Sequence, residues 1–227
     1  MRRAAVLVLT ATVLAGACDR SGSSGATQAP RKTTASSSSR LLKPEDSGLL
    51  EDPDRDEWQQ PDRIMDTLHI ADGSRVADIG AGGGWFTIRL ARRVGPNGVV
   101  YAEDIQPEML ASIDKRVKIE GLTNVQTVLG TPTDSHLTPG LQAVLLIDTY
   151  PQLSHPIELL RNAASALAPN GRVGIVDFKK DGAGGPGPPI DQRIDADAIV
   201  RDATKAGLKL IERDTFLRYQ YLLVFGK

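Results

Sequence analysis

The chain is poor in the residues that build crosslinks and metal centres. Cys18 is the only cysteine in 227 residues, which excludes an internal disulfide and any cysteine-cluster metal site. His69, His136 and His155 are scattered without the spacing of a ligand set, so no structural metal is expected. An excess of charge of one sign is also missing. Lys and Arg number 27 against 28 Asp and Glu, and the net charge of -1 supplies no overall basic field of the kind that draws proteins onto nucleic-acid phosphates. Nucleic acid is therefore not the expected substrate. The uncharged run Ala4 to Ala17 stops after 14 residues, well short of the roughly 20 that a membrane-spanning helix needs. What remains is ordinary globular composition, 41% hydrophobic and 24% charged, suited to one domain plus extensions.

Arg2 and Arg3 before that short apolar run have the form of a secretory signal. Its ending, Leu14-Ala15-Gly16-Ala17-Cys18, resembles the bacterial lipobox, in which small residues precede a cysteine that becomes acylated. Residues 1–18 are thus expected to be a lipoprotein-type signal peptide, with a plain cleaved signal as the rival. Residues 19–43 are rich in Ser, Thr, Gly and Ala, including the run Ser36 to Ser39. Such a stretch has too little apolar surface to offset its ordering entropy, so it is expected to be a disordered tether. The expected location is exported and membrane-anchored through Cys18.

From residue 44 to 227 short apolar runs alternate with longer amphipathic ones, the pattern of repeated β-α units and a mainly parallel sheet. The expected elements are a helix over Asp54 to His69, a strand Arg75 to Ile79, a helix Trp85 to Val94, a strand Val99 to Asp104 and a helix Pro107 to Glu120. Strands Val125 to Leu129 and Ala143 to Asp148 follow, the latter apolar enough to be buried on both faces. A helix Pro156 to Leu167, a strand Arg172 to Asp177 and a helix capped by Asp195 and ending at Ala206 come next. The chain closes with a hairpin, Leu208 to Asp214 with Tyr219 to Phe225. Gly182 to Pro189 must be a loop, either a lid or a plain connection.

The informative stretch is Val76-Ala77-Asp78-Ile79-Gly80-Ala81-Gly82-Gly83-Gly84, at the end of the first strand and the opening of a helix. Glycines there let the backbone approach a ligand and offer free amide donors. A dinucleotide fingerprint starting at Gly80 would need glycine at 85, where Trp85 stands. Asp78 would oppose a pyrophosphate but suits the ammonium group of an amino acid. Twenty residues beyond Gly84, Glu103-Asp104 ends the second strand and places a carboxylate to accept from both hydroxyls of a ribose. An amino-acid end joined to a nucleoside end describes S-adenosylmethionine.

On these residues the chain resembles the class I S-adenosylmethionine-dependent methyltransferase family, over roughly Trp58 to Lys227, with the general look of its quinone-biosynthesis-like branch. The resemblance implies an α/β, Rossmann-like doubly wound sheet, mainly parallel with a C-terminal antiparallel hairpin. It also implies that Asp78, Gly80, Gly82 and Gly84 hold the methionine portion, Asp104 the ribose and Ile105 the adenine, with Ala81 and Thr131 as further expected cofactor contacts. The family often carries an acid after the third strand, where this chain reads Leu129-Gly130-Thr131. A histidine frequently follows the aromatic after strand four, where Pro151 follows Tyr150 here.

Asp148 and Tyr150, at the carboxyl end of a central strand, and His155 are the candidate catalytic residues. His155 equally suits a helix start, Asp78 a strand-end turn and Asp104 a helix cap. Trp58 and Trp85 are either packing residues or substrate clamps, and Arg193 is a candidate for greeting an anion. The expected activity is methyl transfer to a small-molecule or membrane-associated acceptor. Export separates the domain from cytoplasmic S-adenosylmethionine, which leaves a non-catalytic exported binding module as the alternative, along with a misassigned start. Radiolabelled palmitate should enter the chain and be lost in Cys18→Ser; labelling unchanged by the substitution would remove the lipid anchor.

Overall fold

A computed structural model describes residues 54–181 and 185–227. The expected signal, Cys18, the tether, the first ten residues of the expected domain and residues 182–184 of the loop lie outside the described residues.

Among the described residues seven strands form one sheet in the order β3-β2-β1-β4-β5-β7-β6. They are β1 (Arg75–Ile79), β2 (Val99–Asp104), β3 (Val125–Leu129), β4 (Leu141–Ile147), β5 (Leu167–Phe178), β6 (Lys209–Asp214) and β7 (Gln220–Gly226). The first five run parallel, and β7 pairs antiparallel with both β5 and β6. The sheet is the Rossmann-like one expected from the sequence. The chain builds outward from β1 to β3, then returns across β1 to lay down β4. That reversal leaves a crevice at the carboxyl ends of β1 and β4, where open α/β sheets bind ligands.

Among the described residues six α-helices cover the sheet: α1 (Arg55–Gln59), α2 (Pro61–Thr67), α3 (Trp85–Val94), α4 (Pro107–Ile119), α5 (Pro156–Ala166) and α6 (Ala196–Lys205). Strand alternation divides the core in two. Ile79, Leu146, Ile175, Leu223 and Phe225 face α5 and α6, packing on Leu160, Ala163 and Ile199. Val76, Val100, Leu145, Leu222 and Val224 face the other way, onto Met65 of α2 and Leu90 of α3. Gly174 on β5 permits the close approach of α2, since a Cβ there would lie 2.6 Å from Leu68 Cδ1. The Asp195 carboxylate accepts from the Asp197 amide and caps α6, as expected.

Most boundaries fall within two residues of expectation, and two departures are larger. The opening helix is two helices, broken at Gln60, whose φ of 48° is left-handed. Pro61 causes the break, because its ring disfavours helical geometry in the preceding residue while suiting the first turn of a new helix. Strand five starts at Leu167 instead of Arg172, and α5 stops a residue earlier. The Pro169-Asn170-Gly171 turn is absorbed as a register shift, with Leu141 opposite Leu167 but Ala143 opposite Arg172.

Phe225 is fully buried on β7, whereas Ile119 at the end of α4 is 75% exposed. Phe225→Ala should lower stability in urea unfolding by about 3–5 kcal/mol. Ile119→Ala should stay within about 0.5 kcal/mol of the parent.

Candidate active site

A glycine-rich turn joins β1 to α3. Gly80, Gly82 and Gly84 all adopt left-handed φ, at 68°, 53° and 78°, a region costly for residues bearing a Cβ. At Gly80 a Cβ would also lie 2.3 Å from the Thr149 side chain, whereas at Gly82 it would meet nothing within 4 Å. Gly82 thus borders open space.

Parallel pairing sets Ile79 opposite Glu103, which brings the acidic end of β2 beside this turn. The Gly80 amide donates to Glu103 Oε2 (3.3 Å) and the Gly82 amide to Asp104 Oδ2 (3.0 Å). The Ala81 amide donates to the Glu103 carbonyl at 2.9 Å, and the Gly84 amide to the Ala81 carbonyl at 2.9 Å. The amides of Gly80, Ala81, Gly82 and Gly84 are thus engaged within the protein, not free donors as expected. The turn offers the cavity its neighbours' carboxylates instead.

That cavity, about 250 Å³, lies at the crevice between β1 and β4. Of the residues expected to hold a cofactor, Asp78, Gly80, Ala81, Gly82, Asp104, Ile105 and Thr131 line it; Gly84 does not, its Cβ position facing Ile113 at 3.1 Å. The acids Asp78, Glu103, Asp104 and Asp148 share the lining with a single cationic side chain, Arg55. Asp78 is buried and accepts from the Thr87 hydroxyl at 2.7 Å. Burial pushes its carboxyl up to about 6, opposed by that hydrogen bond. Burial raises Glu103 further, to about 8, with only the Gly80 amide opposing and with Asp104 and Asp78 adding repulsion. Asp104 is raised by burial and held back by the Gln106 and Gly82 amides. A pocket so acidic fits a cationic ligand.

The three candidate catalytic residues are not brought together. Asp148 lines the cavity, with a left-handed φ of 57°. Its buried carboxylate accepts from Arg55 Nη2 (3.0 Å), Gln59 Nε2 (3.2 Å) and the Gln220 side-chain amide. Burial raises it, with Arg55 opposing. A carboxylate so engaged ties α1 to β4 and β7, and is poorly placed to take a proton. Tyr150 is outside the lining: its hydroxyl donates to Asp202 on α6 at 3.1 Å, and burial and that acid push it up. His155 is also outside it, exposed at the N-cap of α5.

The remaining candidates resolve by contact. Trp85 lines the cavity, with the Arg55 and Arg89 guanidinium carbons 4.2 and 3.4 Å from its ring centroid. Trp58 does not, and packs on Phe178 and Tyr219. Arg193 is buried and donates to the carbonyls of Pro188 (2.8 Å) and Lys179 (3.0 Å), so it fastens its own loop. None of residues 185–189 lines the cavity. Sequence reasoning missed Arg55, Gln59, Gln220 and Thr149. The first three lie 93, 89 and 72 positions from Asp148, and no local motif marks them. Among the described residues no cluster of His, Cys, Asp and Glu is arranged to hold a metal.

Residues 76–171 match the family model described as a methyltransferase domain. The chain is 31% identical over 111 residues to the protein-L-isoaspartate O-methyltransferase of Methanococcus aeolicus, 48% of this chain and 51% of that protein. It is likewise 31% identical over 119 residues to the ubiquinone/menaquinone biosynthesis C-methyltransferase of Ectopseudomonas mendocina, 50% of this chain and 45% of that one. The chain thus spans about half the length of these curated relatives. The crystal structure of a SAM-dependent methyltransferase from Aquifex aeolicus superposes with a TM-score of 0.76 at 25% identity, over 81% of this chain and 98% of that one.

The buried acids have a consequence for the ligand-free protein. Glu103 and Asp78 hold protons more tightly folded than unfolded, where they titrate near about 4. As pH rises the unfolded chain ionises first, so stability should fall from about pH 4 and level off above about 8, the Glu103 value. Urea unfolding across that range should show a shallower fall in Glu103→Gln, and parallel curves would contradict the assignment. A glycine turn ringed by carboxylates lies at the switch point of this sheet, within the stretch that matches the methyltransferase-domain model, and the folded part has the Rossmann-like fold of class I methyltransferases.

Proposed function

We propose that the chain is an S-adenosylmethionine-dependent methyltransferase acting on a small-molecule or membrane-associated acceptor that arrives already nucleophilic. The observation that carries this reading is the charge pattern of the cavity, four acids and one arginine around an open glycine turn. S-adenosylmethionine has a sulfonium and an ammonium group to match the acids and one carboxylate to match Arg55. Asp78 and the turn would hold the amino-acid end, Arg55 its carboxylate, Asp104 the ribose, and Ile105 and Thr131 the adenine. A carboxylate oxygen has two lone pairs, so Asp104 can accept ribose hydroxyls while it keeps the Gly82 and Gln106 amides.

When bound, this cofactor supplies an electrophilic methyl group on positively charged sulfur. The chain's own task is then to orient and to keep water out, since alignment alone supplies much of the rate in such a displacement. Trp85, Phe86, Ile147 and Leu153 provide apolar walls. Tyr150 and His155 stand outside the cavity, and Asp148 is held by Arg55 and two glutamines. The absence of an uncommitted base among these candidates favours thiolate or activated-carbon acceptors over neutral hydroxyls. The similarity to a quinone-biosynthesis C-methyltransferase supports the activated-carbon class, and a lipid anchor at Cys18 would bring the domain to membrane-borne acceptors.

A second reading, an exported binding module that keeps the fold without the chemistry, is favoured by the signal-like N-terminus and by the engagement of Asp148. Isothermal titration of the full chain with S-adenosylmethionine separates fold from function. The expected result is binding that weakens at least about a hundredfold in Asp104→Ala, the loss of two charge-assisted hydrogen bonds. Binding without transfer of labelled methyl to a panel of quinols and thiols would favour the module. No binding at all would remove the enzymatic reading.

A further inference from the structure

Glu103 is not among the residues that the family resemblance carries over, yet its carboxyl group is the least satisfied polar group in the cavity wall. The residue is only 2% exposed and lines the cavity. One oxygen, Oε2, accepts from the Gly80 amide; the other, Oε1, is buried with no hydrogen-bond partner. On its far side Gly130 follows β3, and a Cβ there would sit 1.7 Å from Oε1. Glycine at 130 thus makes room for this carboxyl group beside Thr131, which also lines the cavity. The charged groups facing Glu103 are Asp104 on its own strand and Asp78 on β1, both of its own sign, while β3 brings the uncharged Gly130 against it.

Native proteins seldom leave a buried acceptor unmet, and a carboxylate oxygen in the wall of a ligand cavity is open to a ligand donor or a water. We propose that Glu103 is a third acidic anchor of this pocket, its Oε1 accepting a hydrogen bond from an O–H or N–H group of the bound nucleoside. This rests on the S-adenosylmethionine reading above. It places Glu103 between the glycine turn, through Oε2, and the segment after β3, through Gly130. It also makes binding a proton-coupled event. With its carboxyl raised to about 8, Glu103 holds its proton at neutral pH in the ligand-free protein. A cationic ligand that donates to Oε1 favours the carboxylate, so the proton leaves Glu103 for solvent as the ligand enters. The negative charge left behind faces the ligand's positive charge.

Titration calorimetry of the full chain at pH 7, in phosphate and in Tris, reads both affinity and proton release. Wild-type protein should release up to about one proton on binding S-adenosylmethionine. Glu103→Gln should bind at least about tenfold more weakly and release none. S-adenosylhomocysteine keeps the nucleoside and lacks the sulfonium, so its affinity for Glu103→Gln should fall as well. A loss confined to the sulfonium ligand would mean a through-space charge effect and would overturn the hydrogen bond. Gly130→Ala displaces the same carboxyl group without removing its charge, and should also weaken both ligands. If circular dichroism shows Glu103→Gln unfolded, wild-type proton release and Gly130→Ala decide. Wild-type binding with no proton release, or with affinity unchanged in the folded variants, overturns the role of Glu103 alone. Failure of the wild type to bind S-adenosylmethionine removes the parent reading and this one with it.

Discussion

The parallel register of β1 against β2 is the constraint on which the site depends. Ile79 opposite Glu103 sets the last two residues of β2 beside the turn that follows β1. The amides of Gly80 and Gly82, which lead toward the N-terminus of α3, then meet Glu103 and Asp104 instead of a ligand anion. A glycine turn at a helix start is ordinarily suited to anions. Here two carboxyl groups satisfy it and line the cavity with acids, so one local pairing turns the site away from the anion that the turn would favour.

A second buried interaction joins parts of the chain that are far apart in sequence. Asp148, at the end of β4, receives Arg55 and Gln59 from α1 and Gln220 from β7. Buried carboxylates and guanidinium groups lose hydration that only close pairing and further hydrogen bonds restore. Burial lowers the proton affinity of Arg55 while Asp148 opposes that shift, so each charge relies on the other. The same pair carries α1 to the cavity, and with it the one cationic side chain set against four acids. An aspartate that reads as a candidate base from its strand-end position is instead the fastening of this wall.

The expected strands proved legible to within a few residues because their signals are local. β4 is a continuous apolar run, and it is buried along nearly its whole length. The Asp195 cap and the first-turn prolines Pro107 and Pro156 mark helix starts through the geometry of one or two residues. The break at Gln60 is local too, since Pro61 announces it, but the amphipathic pattern runs on through the proline and conceals it. The early start of β5 is of another kind. Its first residues are a turn sequence that becomes strand because Leu141 on β4 offers a pairing partner across the shift.

By itself the sequence determined the strands, the glycine turn and two of the four acids that line the cavity, Asp78 and Asp104, since alternation, turn chemistry and fixed spacing act over a few residues. Only the tertiary structure decided which polar groups face one another. It turned Tyr150 toward Asp202, left His155 at the surface, engaged Asp148 with Arg55 and kept Glu103 Oε1 without a partner. The physical reason is that the charge state and hydrogen bonding of a buried side chain depend on neighbours brought together by strand order, and strand order carries no local signature.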